Sequence, residues 1–339
     1  MVSVFVTGAS GFIAQHIVKL LVEKKYKVVG TVRSAAKGEK LQESLGADNF
    51  QYEIVPDIQV EGAFDEAIKN HPEVTVAMHT ASPFTYDITD PEKDLILPAL
   101  EGTRQALTSI KKYGPQITRV VVTSSDAAVY SAEDEQKKGL YFDESSWNNI
   151  SREEAIKDPV SAYYGAKAFA EKLSWEIAKE TGVNFTLSTV NPVYVFGPQA
   201  FISEVKEQLN VSNELIHHLI KVGPEGKFDN DKGGFIDVRD VALAHVAAFE
   251  REDTKNKRLF MTNGHFSTQA MLDIINKNFD ELKGKIPVGT PGSGPEDIST
   301  LATVNNEKTK ALLGFEFRSL DTIVIDTVKQ ILDVRKSKI

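Results

Sequence analysis

Val4-Phe5-Val6-Thr7-Gly8-Ala9-Ser10-Gly11-Phe12-Ile13-Ala14 opens the chain, and its reading decides the fold. A β-prone apolar run ends at Gly8, and apolar residues at helical spacing begin at Phe12. Glycine lets a backbone turn sharply and approach a pyrophosphate closely. A helix N-terminus adds unbonded N–H groups and the positive end of its dipole. Gly8 and Gly11, with Phe12 and Ile13 at the helix start, therefore form a candidate dinucleotide site. A glycine-rich turn alone can be no more than a tight strand–helix connection. The strand before it and the helix after it favour the cofactor.

Working outward, short apolar runs at 2–6, 27–32, 50–55, 74–79 and 119–123 read as strands. They alternate with helical spacing over 12–24, 36–45, 61–69 and 94–112. Such alternation with short links implies parallel strands and right-handed crossovers. The predicted fold is an α/β, doubly wound parallel sheet of Rossmann type. A helix over 163–180 and a strand over 185–190 continue it, broken by Pro192 and the Phe196-Gly197-Pro198 turn. Beyond lie a helix over 201–222, a loop over 223–234, a run at 235–242 leading into a helix, a returning strand at 258–262 and a last helix over 320–334. This divides the chain into an NADP-binding domain, 1–192 plus 233–262, and a smaller interleaved substrate lobe, 193–232 plus 263–339.

The bulk properties exclude several classes. With 339 residues, 41% of them hydrophobic and 26% charged, the chain is an ordinary globular protein. A net charge of −9 without a basic stripe argues against binding nucleic acid. Cysteine is absent, so disulfides, thiolate nucleophiles and thiolate metal sites are excluded. His217-His218 lacks an acidic partner at ligand spacing, so no metal is expected. No apolar run approaches the ~18 residues of a membrane helix. The opening has no basic n-region or cleavage site, which points to the cytoplasm.

The end of the second strand selects the cofactor. An NAD site carries an acid there for the ribose 2′-hydroxyl. This chain has Thr31-Val32-Arg33-Ser34 and Lys37, with no acid before Glu39. Two cations suit a 2′-phosphate, so NADPH/NADP is expected; the bland alternative is two solvated surface charges. Asp57, beside Ile58, can bond the adenine amino group or cap the next element. Thr80, Ala81 and Ser82 end the fourth strand where a cofactor must pass.

Tyr163 and Lys167 share one helix face at i, i+4. A phenol with a pKa of about 10 is a poor acid at neutral pH until a nearby ammonium favours its phenolate. Lys167 can also bond the nicotinamide ribose. Spacing alone favours the blander reading, an exposed tyrosine with a surface lysine. Thr123-Ser124-Ser125, ending the fifth strand at the same sheet edge, changes that balance. Ser125 can donate to a carbonyl oxygen as negative charge develops, while Thr123 and Ser124 read as structural or cofactor contacts. Asp237, Arg239 and Asp240 read as an ion-paired cluster fixing the second lobe to the sheet.

These motifs resemble the extended short-chain dehydrogenase/reductase family. The matching elements are the Thr7-to-Ala14 opening, Ser125, Tyr163-x-x-x-Lys167, Asn191-Pro192 and Asp237-Val238-Arg239-Asp240-Val241-Ala242. His79-Thr80-Ala81-Ser82-Pro83-Phe84 and Asn191-Pro192-Val193-Tyr194-Val195-Phe196-Gly197-Pro198 are similar to its branch of yeast NADPH-dependent methylglyoxal and isovaleraldehyde reductases. The resemblance implies NADPH reduction of aldehydes and ketones, broad in substrate. It implies Ser125 polarising the carbonyl, Tyr163 protonating it and Lys167 holding the ribose. It also implies Pro192 and Val193 at the nicotinamide, with Phe84, Tyr130, Val160 and Tyr194 lining the substrate cleft. Asp126 departs from the pattern, since such relatives carry a largely uncharged residue there. It reads as a strand-end acid pointing at solvent or capping a turn, or as a charge on the cleft wall, and its catalytic neighbour favours the wall. There it would disfavour acidic substrates, accept a substrate hydroxyl and stabilise charged Lys167.

Two other functions use the same fold: an NAD-dependent nucleotide-sugar epimerase or dehydratase, and a non-catalytic redox-sensing dinucleotide-binding protein. Arg33 speaks against the first, and retention of Tyr163 and Lys167 against the second. The expected partner is a small carbonyl substrate, with the chain a monomer or weak homodimer.

Overall fold

The computed structural model describes residues 2–82 and 88–337. Its strands are β1 (Ser3–Thr7), β2 (Lys27–Val32), β3 (Phe50–Ile54), β4 (Val76–His79), β5 (Arg119–Thr123), β6 (Tyr141–Phe142), β7 (Thr186–Pro192), β8 (Tyr194–Phe196), β9 (Lys232–Asp237), β10 (Arg258–Met261), β11 (His265–Ser267) and β12 (Thr303–Val304). Seven of them form one sheet, ordered β10-β7-β5-β4-β1-β2-β3, and every pairing within it is parallel. Helices cover both faces, which is why β1 is buried along its whole length. Strand order reverses between β1 and β4. The carboxyl ends of those two strands therefore border the crevice where ligands bind in open α/β sheets.

Val193 alone separates β7 from β8, which leaves the large sheet for a small one ordered β11-β9-β8. Around it lies a second core that includes Phe196, Ile216, Phe235, Phe266, Leu272 and Val328. Two differences from the sequence reading follow. Pro192 does not break its strand but ends it, pairing with Met261; at a strand end the missing N–H leaves no ladder bond unmade. The helix predicted over 201–222 is only Val211–Leu219. Asn210 stands at its N-cap, with its side-chain oxygen accepting from Gln199 and Asn213, while the Leu209 N–H turns to Glu214.

Interleaving goes deeper than the sequence division. Within β9, Phe235 packs in the second core and Ile236 in the first. Leu313 also packs in the first core, and Asn306 donates to the carbonyls of Phe260 and Thr262 at 3.0 and 2.7 Å. The Asp237-Arg239-Asp240 cluster does tie elements together. Asp237 caps the helix Val238–Glu250, Arg239 pairs with Asp237 at 2.6 Å and Asp326 at 2.7 Å, and Asp240 pairs with Arg318.

The helix Pro159–Ile177 docks through a buried carboxylate. Glu171 pairs with Arg258 of β10 at 2.6 Å, with both side chains nearly inaccessible to solvent. It also accepts from Ser124 and Asn191 at 2.5 Å each and from Trp175 at 3.2 Å. Removing one partner of a buried pair strands the other charge. Arg258→Met is therefore expected to lower stability by about 3–5 kcal/mol, read as a reduced urea midpoint at unchanged slope.

Candidate active site

β1 ends in a turn that only glycine allows. Gly8 has φ +65°, and a Cβ there would lie 2.9 Å from Ala81 Cα. The close approach joins β1 to the end of β4 across the crevice. Thr7 secures it: its hydroxyl oxygen accepts from the N–H groups of Thr80 and Ala81 at 3.1 Å each. Its proton faces His79 Nδ1 at 2.9 Å. Burial, with Lys167 adding to it, pushes His79 down to about 4, so the ring is neutral. Gly11 differs. A Cβ there would meet only Gly8 O at 3.3 Å and Ala14 Cβ at 3.9 Å, leaving open space ahead of the helix Phe12–Glu23. The first amides of that helix have no intrahelical acceptor. Space, glycine and free donors together fit a pyrophosphate.

Arg33 and Lys37 follow β2 and are exposed. Among the described residues, neither makes an ion pair, so both cations remain available to a phosphate. Asp57 Oδ1 accepts the Gln59 N–H at 2.9 Å, closing a local turn rather than capping a helix, and its carboxylate is exposed. Ile58 packs so close to Gly102 that a Cβ there would lie 2.6 Å from it.

The sheet edge beyond β5 brings Ser125, Tyr163 and Lys167 together. Tyr163 Oη donates to Ser125 Oγ at 3.2 Å. Ser125 begins the short turn Asp126–Ala128, and its oxygen accepts the Ala127 N–H at 3.2 Å. The Lys167 ammonium stands 6.0 Å from the Tyr163 ring centroid. Burial alone pushes Lys167 down to about 8. A lysine so placed still carries its charge at neutral pH but resists burial without a counter-ion. Ser124 bonds Glu171, and Thr123 faces His245 Nε2 at 2.7 Å. Pro192 and Val193 lie at the end of β7, with Val193 buried.

Two expected cleft residues lie elsewhere. Asp126 is buried, with Oδ1 accepting from Ser125 Oγ at 2.7 Å and from Ala127 N at 2.9 Å. Its Oδ2 accepts the Tyr130 hydroxyl at 2.9 Å. It is neither a cleft wall nor a partner of Lys167: a carboxylate this close to backbone and hydroxyl donors folds inward to meet them. Tyr130 is buried for the same reason. Val160 and Tyr194 are exposed, Tyr194 stacking on Phe196 with centroids 6.1 Å apart. Phe84 lies outside the described residues. Among the described residues no cluster of His, Asp or Glu could hold a metal, and no helix is long and apolar enough to cross a membrane.

Sequence reasoning missed Glu135 and Glu171. Tyr163, Lys167 and Glu171 recur every four residues, so the stripe was there to extend. Glu135 gave no signal. It is buried under the site, with Oε1 accepting the Gly234 N–H at 3.1 Å. Burial first, then the charge of Asp126, pushes its carboxyl well above the usual range. Burial also raises Asp126.

A family model described as the NAD dependent epimerase/dehydratase family matches residues 4–261. The putative NADPH-dependent methylglyoxal reductase of Candida albicans is 52% identical over 97% of this chain and 98% of its own. The NADPH-dependent methylglyoxal reductase of Saccharomyces cerevisiae is 50% identical, with the same coverage. The crystal structure of yeast methylglyoxal/isovaleraldehyde reductase complexed with NADPH superposes with a TM-score of 0.96 at 49% identity, covering 99% of this chain and 100% of that one.

A raised carboxyl binds its proton more tightly in the folded than in the unfolded chain. Stability is therefore present below the unfolded value and is lost as pH rises through the folded one. For Glu135 the window opens above its ordinary 4.5. Thermal midpoints of the parent are expected to fall from about pH 5 to about pH 8 more steeply than those of Glu135→Gln.

Proposed function

This chain belongs to the NAD dependent epimerase/dehydratase family, and from that premise we infer that it is an NADPH-dependent aldehyde reductase. The observation that carries the mechanism is the Tyr163–Ser125 hydroxyl contact at the carboxyl edge of the sheet, with Lys167 beside it. The substrate range we propose is α-dicarbonyls such as methylglyoxal, together with isovaleraldehyde, ketones and keto-esters. A cytoplasmic location, a monomer or weak homodimer, and the sequence division into cofactor domain and substrate lobe belong to the same proposal.

NADPH, when bound, supplies the hydride for the carbonyl carbon. Gly8, Gly11, Phe12 and Ile13 would hold its pyrophosphate, Arg33 and Lys37 its 2′-phosphate, and Asp57 with Ile58 its adenine side. Thr80, Ala81, Ser82, Pro192 and Val193 would flank its passage to the site. Tyr163 hands its proton to the carbonyl oxygen, leaving a phenolate that the Lys167 ammonium favours. Ser125 donates to the same oxygen as charge develops. Val160 and Tyr194 offer apolar surface to the substrate, while Asp126 and Tyr130 act from beneath. An aldehyde, NADPH and one proton give an alcohol and NADP.

Mixing the chain with NADPH and methylglyoxal is expected to consume NADPH stoichiometrically with aldehyde. An epimerase would regenerate its cofactor, and a sensor would not turn over, so the absence of net NADPH consumption would remove this reading. Tyr163→Phe is expected to lower kcat by about 10²- to 10⁴-fold while NADPH binding, read by fluorescence, persists. Arg33→Ala is expected to raise the KM for NADPH by about tenfold and to leave that for NADH nearly unchanged.

A further inference from the structure

Ser125 has one proton and two lone pairs, and every one is in use. Its oxygen accepts from Tyr163 Oη and Ala127 N at 3.2 Å each, and its proton goes to Asp126 Oδ1 at 2.7 Å. In this arrangement Ser125 has nothing to give a substrate. We propose that Asp126 is a positioning residue for carbonyl reduction, holding the Ser125 proton when ionised and releasing it to the substrate oxygen when neutral. The inference rests on the reading of Ser125 and Tyr163 given above.

The means of neutralising Asp126 lies behind it. Its Oδ2 accepts the Tyr130 hydroxyl at 2.9 Å, and Tyr164 and Tyr130 both favour the charged form of Glu135. Both carboxyls are buried. The groups facing both are Tyr130 and, from the helix Pro159–Ile177, Tyr164; the Gly234 N–H of β9 also meets Glu135. The nearby cation of β10, Arg258, spends its guanidinium on Glu171 and on the carbonyls of Glu144, Ser146 and Ala128. Among the described residues, no ion pair reaches either carboxyl. Two like charges in such a place hold one proton between them. A proton on Asp126 Oδ2 donates to Tyr130 Oη, which turns its own hydrogen to Glu135. Protons are conserved and the charge moves from Asp126 to Glu135. A neutral carboxyl holds the Ser125 hydroxyl less tightly than a carboxylate does, so Ser125 can turn to the substrate.

Loss of the shared proton at high pH locks Asp126 in its ionised form, and kcat for reduction falls. The Glu135 charge repels ionisation of Asp126, so it keeps that fall at higher pH. The two carboxyls therefore predict opposite shifts. Asp126→Asn keeps the acceptor for Ser125 and Ala127 but cannot ionise; the alkaline limb of its kcat profile is expected to move up by about one pH unit or more, or to vanish. Glu135→Gln removes the repelling charge, and its limb is expected to move down. The KM for NADPH should stay at the parental value in both. A limb left in place in Asp126→Asn, or a uniform loss of kcat at every pH in either variant, would overturn the role. Should Asp126→Asn fail to fold, an unmoved limb in Glu135→Gln decides against it alone. The parent's own turnover of NADPH and methylglyoxal separates the two claims. A silent parent ends the reductase reading, whereas an active parent with unmoved variants ends only the role of Asp126.

Discussion

The buried pair between Glu171 and Arg258 is the constraint on which the site depends. Glu171 belongs to the same helix as Tyr163 and Lys167 and lies four residues past Lys167. Arg258 belongs to the edge strand β10, two strands from the serine. The guanidinium also lies 3.9 Å from the Trp147 ring centroid and reaches the Ala128 carbonyl at 3.2 Å. Asn191, bonded to Glu171, donates to the Ser125 carbonyl at 3.1 Å. One carboxylate thus fixes the helix that carries the phenol, the strand end that carries the hydroxyl and the turn that follows it. Desolvating such a pair is costly, and only a full set of donors makes it tolerable. The return is positional: hydroxyls that exchange protons must stay within hydrogen-bonding reach.

Around this anchor, burial acts with opposite sign on opposite charges. It pushes Lys167 down to about 8 and pushes Asp126 and Glu135 up. Every one of these groups is drawn toward its neutral form by the same lack of water. The ammonium follows the phenol on one helix, and Asp126 takes the proton of Ser125.

Much of this was legible in the chain. The alternation of apolar runs and amphipathic stretches located β1 to β5 to within two residues at either end; in β1, β2, β4 and β5 burial on both faces leaves largely apolar runs, whereas the edge strand β3 is mostly unburied. Gly8 and Gly11 marked the turn between β1 and the helix Phe12–Glu23. The segment 201–222 was not legible: its helix is set by polar side chains of Gln199, Asn210 and Asn213 meeting across a loop, a tertiary event with no periodic trace. Asp126 misled because a strand-end acid looks solvent-facing until its donors are known. Those donors, Tyr130 and the Ala127 amide, lie within four residues, but their geometry follows from the turn and not from the spacing. Glu135 was silent, since nothing in its neighbourhood distinguishes a buried acid from the acids at 133 and 134.

Strand β9 has a consequence for how the molecule holds together. Adjacent residues, Phe235 and Ile236, are inserted into different cores, so neither core can melt without pulling a side chain out of the other. The two halves should share a single cooperative transition, and an amputated carboxyl-terminal lobe would leave a greasy, unsatisfied face on what remained. A variant that loosens packing near β9 therefore draws on the stability of the whole chain.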